Sequence, residues 1–186
     1  KIVGSYRREA SNSGDIDVII TNSENNIDVF NKFLDRLIQD RIVIEVLTRG
    51  KTKSLTIGEL QGSIPRRLDF LYTPPSEYAF AVLYFTGSKA FNTVMRQRAL
   101  DMGYSLNEHG FTKMNAGKKG EKVNIEFPTE RSIFDFLGMK YKEPKEREGY
   151  KSVELLEQKS PIQSIKSSIK SPTQSQSKLV LSLIHI

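Results

Sequence analysis

The sequence predicts an α+β protein: a small mixed β-sheet with flanking helices, followed by a small α+β subdomain. Three observations predict it. Short runs rich in β-branched residues recur before position 73, and a helical period separates the first runs from the later ones. Pro74-Pro75 then interrupts the chain. Beyond it, helical periods come first and strand-like runs follow.

In order, residues 1–6 and 15–21 read as strands. Residues 26–40 give a helix, because Ile27, Phe30, Phe33, Leu34, Leu37 and Ile38 recur at three- and four-residue spacing, and Asn25 or Asn26 can cap its start. Residues 41–47 alternate charged and β-branched side chains, as a strand does. Thr48 to Lys53 is a basic turn, and strands near 54–57 and at 66–72 complete the sheet. After the prolines, residues 77–85 carry few charges and suit a helix. Gly87 interrupts, and a second helix over about 88–102 places Phe91, Val94, Met95 and Leu100 on one side. Residues 104–114 and 121–127 read as strands around a Gly-Lys-Lys-Gly turn. Thr129 and Ser132, ahead of Ile133, Phe134 and Phe136, predict a capped helix over 129–137.

The chain therefore divides into 1–75, 76–149 and 150–186. The last stretch is dominated by Ser, Lys and Gln, cannot bury enough apolar surface to order itself, and reads as a disordered tail. Its end, 179–186, is apolar without periodicity; a genuine extension and sequence foreign to the natural gene both fit.

The 186 residues suffice for one sizeable domain or two small subdomains. There is no cysteine, so disulfides and thiolate metal sites are excluded. No apolar run approaches the ~20 residues of a membrane span, and no signal peptide is visible. These absences predict an intracellular protein without a membrane partner. The net charge is +6, and residues 151–186, with five Lys and two Glu, supply half of it. The remainder is mildly basic, which is compatible with a nucleic-acid partner. The chain opens at Lys1, almost on the motif described next, which predicts an N-terminal truncation.

Asp15 and Asp17 stand one residue apart, after Gly14 and before Val18-Ile19-Ile20. On a strand, residues i and i+2 share a face, so both carboxylates project together. Two carboxylates side by side repel unless a cation lies between them, and hard oxygen ligands suit Mg²⁺. An Asp-x-Asp alone is common on exposed strand ends, but here its surroundings add weight. Gly4-Ser5 follows the apolar Ile2-Val3, Arg7 and Arg8 lie between, and a third carboxylate, Asp69, stands in the strand-like Arg67-Leu68-Asp69-Phe70-Leu71. Glycine lets a backbone approach a phosphate closely, and a serine hydroxyl with neighbouring N–H groups can cradle one. This is the layout of a nucleotidyltransferase site.

On these residues the chain resembles the family X DNA polymerases, from Val3 to about Arg147. The resemblance is carried by Gly4-Ser5-Tyr6-Arg7-Arg8, Gly14-Asp15-Ile16-Asp17, Arg67-Leu68-Asp69, Tyr84-Phe85-Thr86-Gly87-Ser88, Phe91-Asn92, Phe134-Asp135-Phe136-Leu137-Gly138 and Tyr141-Lys142-Glu143-Pro144. Many nucleotidyltransferases share the first two blocks. The Tyr-Phe-Thr-Gly-Ser block is more specific.

The resemblance implies a nucleotidyltransferase palm over 1–75 and a nucleotide-binding, template-pair-sensing subdomain over 76–149. It implies a monomeric DNA-directed DNA polymerase that fills short gaps in DNA repair, nuclear if eukaryotic, with gapped or primed DNA and deoxynucleoside triphosphates as partners. Asp15 and Asp17 would each bridge two Mg²⁺ ions, with Mn²⁺ as a substitute, and Asp69 would hold only the ion beside the primer 3′-hydroxyl. Ser5 and Arg8 would bind the β- and γ-phosphates, with Gly4 and Gly14 completing the backbone approach. Tyr84 and Phe85 would floor the sugar pocket and Gly87 would turn at its edge; ordinary aromatic packing is the competing reading of that pair. Asn92 would reach the incoming base, Arg96 the templating nucleotide, and Arg67 would tune Asp69 or contact the primer phosphate.

Lys89 departs from the acidic or small residues that the family often carries there. His109 reads as a surface or interface residue. The basic turn Gly50-Lys51-Thr52-Lys53 reads as a DNA-backbone contact or a solvated hairpin. Three other functions stay open, the most distant being another nucleotidyltransferase, such as a poly(A)-adding or antitoxin-type enzyme, which lacks the Tyr-Phe-Thr-Gly block. A template-independent terminal transferase is disfavoured by Tyr84-Phe85 and Arg96, and a non-catalytic DNA-binding fragment by the presence of all three carboxylates.

Overall fold

A four-stranded mixed sheet is built from β1 (Asp15–Ile20), β2 (Val43–Arg49), β3 (Lys53–Gly58) and β4 (Arg66–Tyr72), in the order β1-β4-β3-β2. β1 and β4 run parallel, and the other neighbours are antiparallel. The structure is a computed structural model that describes residues 1–156; the expected tail over 157–186 lies outside the described residues.

A parallel pair needs a crossover. Here helix α2 (Asp28–Gln39) and the β2–β3 hairpin supply it. Phe30 and Leu34 of α2 are buried with Val43, Phe70 and Tyr72, and Phe33 meets Phe70 edge-on at 5.7 Å. Asn26 accepts from the Asp28 N–H just ahead of the helix (2.9 Å).

Residues 1–6 do not form the expected strand. Only Ile2 bridges, to Val18, and Gly4–Arg7 is a helical turn, α1. Gly4 adopts φ +68°, a conformation that ends an extended run and favours glycine.

Beyond the prolines lie α3 (Tyr78–Thr86), α4 (Lys89–Asp101), β5 (Tyr104–Asn107), β6 (Gly110–Asn115), β7 (Lys118–Lys122) and α5 (Glu130–Phe136). Helix α3 has no polar face because it is wanted on all sides. Ala79, Phe80 and Leu83 enter an aromatic-rich core with Phe91, Met95, Phe111 and Phe134. Ala81 and Val82 pack on Val3 and Ile19 of the sheet side. In α4 the buried row is Phe91, Met95 and Ala99, at strict i+4 spacing; Leu100, expected inside, is 46% exposed because it lies about 100° around the helix from Ala99. The capping box Thr129–Ser132 forms as expected.

The second sheet, β5-β6-β7, also departs from expectation. The stretch 104–114 divides at Glu108-His109, and the hairpin turns at Ala116-Gly117, both with positive φ (48° and 79°). That pairing of positive φ values matches a tight two-residue hairpin. The Lys-rich segment is therefore strand rather than turn, and the expected strand 121–127 ends at Lys122.

Residues 150–156, assigned to the tail by composition, belong to the folded part. Lys140 N donates to Glu154 O (2.8 Å) and Leu156 N to Gly138 O (2.9 Å). Val153 packs on the aromatic core, and the Glu154 carboxylate takes Lys140 and Lys142. Averaging over a polar stretch hid this short anchor. No helix among the described residues is long and apolar enough to cross a membrane.

Candidate active site

The parallel register sets Asp17 opposite Asp69 and Asp15 opposite Arg67. Paired residues on neighbouring strands share a face. Three carboxylates and one guanidinium therefore gather on one side of the sheet. Arg67 Nε donates to Asp69 Oδ1 (3.0 Å), and its Nη2 donates to Asp15 Oδ2 (2.5 Å) and Asp69 Oδ2 (3.3 Å). These bonds to Asp69, then the charges of Asp69 and Asp15, raise the Arg67 pKa further above its ordinary value. Burial, followed by the neighbouring Asp15 and Asp69, pushes Asp17 above the usual carboxylate range; Arg67 and Lys53 offset part of this.

Lys53, read from sequence only as part of a basic turn, opens β3 and lines a hollow with Asp17, Asp69 and Phe85. Gly4 is required twice. Its φ is positive, and a Cβ there would come within 2.3 Å of Asp17 Oδ2.

Three carboxylates on one face form a hard-oxygen donor set that suits a divalent cation. Among the described residues, no three His, Cys, Asp or Glu side chains converge on a common ligand point. Arg67 instead bonds Asp15 and Asp69 and stands as the counter-charge between them. The donor set fits the metal by its chemistry, with a cationic side chain already in place.

Beside the carboxylates, Ser5 Oγ lies 2.9 Å from Ser13 Oγ, and Ser13 Oγ donates to Asp15 O (2.7 Å). Ser13 was not singled out in the sequence. A Cβ on Gly14 would meet nothing within 4 Å, so its backbone borders open space. Arg8 Nη1 donates to Thr86 O (2.5 Å), which brings the guanidinium against Gly87, whose φ is +71°. Ser88 caps α4 by accepting from Phe91 N and donates to Glu148 O (2.9 Å).

Arg7 diverges from its neighbour Arg8. Its guanidinium grips Glu130 (2.6 and 3.0 Å) and Thr86 Oγ1 (2.6 Å). Glu130 also takes Arg147 Nη1 at 2.6 Å. Arg147 is fully buried beside Phe91, Phe134 and Tyr141 and donates Nε to Lys142 O (2.9 Å). Burial raises the Glu130 pKa, but the Arg7 hydrogen bonds and the Arg147 charge outweigh it, so the carboxylate titrates below its usual range. This chain ties the Gly-Ser motif to the second subdomain across 123 residues of sequence, which no local pattern signals.

Tyr84 and Phe85 meet edge-on at 5.2 Å but serve different hollows. Phe85 borders the carboxylates, whereas Tyr84 borders Asn92, Arg96, Leu106 and Asn107. Asn92 Nδ2 donates to Tyr84 O (2.7 Å). Arg96 is exposed and forms no salt bridge among the described residues. Lys89 is exposed at the start of α4. His109 pairs with Glu77 at 2.7 Å on the surface, and its backbone N–H donates to Asn107 Oδ1 (2.9 Å) at the rim of the Tyr84 hollow.

The sheet and its carboxylates have the form of a nucleotidyltransferase palm. Residues 1–75 match the DNA polymerase beta palm family and residues 81–148 the DNA polymerase beta thumb family. The chain is 38% identical over 159 residues to DNA polymerase lambda of Rattus norvegicus, covering 78% of this chain and 28% of that protein. It is 28% identical over 162 residues to DNA polymerase lambda of Arabidopsis thaliana, covering 77% of this chain and 31% of the relative. With DNA polymerase IV of Saccharomyces cerevisiae, identity is 30% over 111 residues, covering 60% of this chain and 18% of the relative. The chain belongs to the family X DNA polymerases, of which it covers the palm and thumb. It spans less than a third of the length of these relatives. Family X polymerases are metal-dependent.

Proposed function

We propose that this chain is the catalytic part of a DNA-directed DNA polymerase that adds deoxynucleotides to a primer 3′-hydroxyl, filling short gaps during repair in a eukaryotic nucleus. The observation that carries this reading is the gathering of Asp15, Asp17 and Asp69 on one sheet face, within one folded unit that also holds the Tyr84-Phe85 pair.

Two Mg²⁺ ions, with Mn²⁺ as a substitute, would activate the primer hydroxyl and neutralise the leaving pyrophosphate. Asp15 and Asp17 would serve both ions and Asp69 the one beside the primer. Arg8 would take triphosphate oxygens by charge-assisted hydrogen bonds. Ser5 would add a hydroxyl donor, and the open backbone at Gly14 would approach the same oxygens. Phe85 and Tyr84 would floor the sugar, and Asn92 and Arg96 would feel the base pair from the minor groove. Acceptors there are similar in all pairs, so such contacts test shape rather than identity.

The test is insertion of each of the four nucleotides opposite one template base. Arg8→Ala should weaken correct and incorrect insertion alike. Arg96→Ala should lower correct insertion more, narrowing discrimination by roughly 1–3 kcal/mol. Equal effects of Arg96→Ala on all four nucleotides, with single-stranded primers extended as readily as gapped ones, would mark a terminal transferase instead.

A further inference from the structure

Arg67 is bonded in a way that phosphoryl transfer does not require. Its fork reaches Asp15 on the neighbouring strand and Asp69 on its own, and Nη2 stands between the two carboxylates at 2.5 and 3.3 Å. Asp17, the third carboxylate, accepts no hydrogen bond on its side chain among the described residues. Resting on the polymerase reading of this site, we propose that Arg67 is an internal competitor of the catalytic metal. In the metal-free protein it occupies the oxygens of Asp15 and Asp69, so that a divalent cation enters at Asp17 and completes its ligand set only as the guanidinium withdraws.

The geometry supplies the reason. A cation bridging Asp15 and Asp69 needs the space that Nη2 fills, and two positive charges in that space repel. The guanidinium has somewhere to go, because the Arg67 side chain is 47% exposed. Exposed ion pairs are weak and exchange readily. Once displaced, Arg67 remains on the same sheet face, where it can meet a phosphate. A phosphate that draws Arg67 away would favour cation loading, and by linkage the cation would favour the phosphate.

Mn²⁺ binding to the full chain, without nucleotide or DNA, reads this directly through the electron paramagnetic resonance of free Mn²⁺. Arg67→Gln should lower the Kd for Mn²⁺ roughly threefold to tenfold, the scale of releasing a charge-assisted surface contact. Arg67→Lys, which keeps the charge but loses the fork, should lower it less. Lys53→Gln removes an equal charge near Asp17 without touching the Arg67 contacts, and should also lower it less than Arg67→Gln. Binding by Arg67→Gln that is unchanged, weaker, or no tighter than in Lys53→Gln overturns the competitor role. Asp17→Asn separates the two ideas. If it binds Mn²⁺ as wild type does, the metal reading of the carboxylates falls and the competitor with it. If it loses binding while Arg67→Gln changes nothing, only the competitor falls.

Discussion

Two clusters of this molecule gather arginine and carboxylate, one opening to water and one in the core. Arg67, Asp15 and Asp69 have side chains 47%, 34% and 10% exposed. Arg7, Glu130 and Arg147 are at 15%, 10% and 0%. The functional groups are the same, and burial decides what they can do. Exposed pairs contribute little to stability and can trade partners. In the buried set, losing one member strands the charges of the others, so the set holds its arrangement. The Arg67 cluster, open at Arg67 and Asp15 though not at Asp69, is suited to exchange ligands, and the buried one to fix the frame around it.

The largest effect that would sharpen this contrast is on activity. Asp15→Ala, Asp17→Ala and Asp69→Ala should each reduce nucleotide addition roughly a thousandfold or more, since each removes a ligand of the proposed ions. Their melting temperatures should stay close to wild type. Strong unfolding by Asp15→Ala would mean that the exposed cluster is structural after all.

Glu130→Ala should do the reverse. It leaves Arg147 without its carboxylate inside an aromatic pocket and should cost about 3–5 kcal/mol in denaturant unfolding. The pH dependence follows from the lowered Glu130 pKa. A carboxylate whose folded pKa is depressed contributes stability above its unfolded pKa and loses it as pH falls through the folded value. The gap between wild type and Glu130→Gln should therefore be full at neutral pH and close below about pH 4. A gap independent of pH would show that the ionised form is not what Arg7 and Arg147 hold.

A smaller effect concerns the end of the fold. Truncation after Leu156 should leave stability unchanged. Truncation after Tyr150 removes Val153 from the core and the pairing to residues 138–140, and should cost about 1–3 kcal/mol. Equal stabilities would return residues 151–156 to the tail.

These two clusters also mark how far the sequence can be read. Asp15 and Asp17 share a face through strand period alone, and Arg67 lies two residues from Asp69, so both relations are local. The Arg67–Asp15 bond depends on the parallel register of β1 and β4, which local pattern does not specify. Arg7 looks like Arg8 in the sequence, yet one turns inward to Glu130 and the other to the Thr86 carbonyl. The divergence is set by a partner 123 residues away. The helical turn at Gly4 and the hairpin turn at Ala116-Gly117 escaped for a different reason: a positive φ at each decides the path, and composition does not report dihedral angles. The long helices, with their spaced apolar rows, were legible almost throughout.

On the proposed function, the carboxylate face carries out templated, metal-dependent nucleotide addition. The most direct test gives the purified chain a duplex with a one-nucleotide gap and offers each deoxynucleotide separately, with Mg²⁺ and again with chelator. Only the complementary nucleotide should be added, and chelator should abolish the addition. Addition that ignores the template or survives chelation would contradict the proposed function.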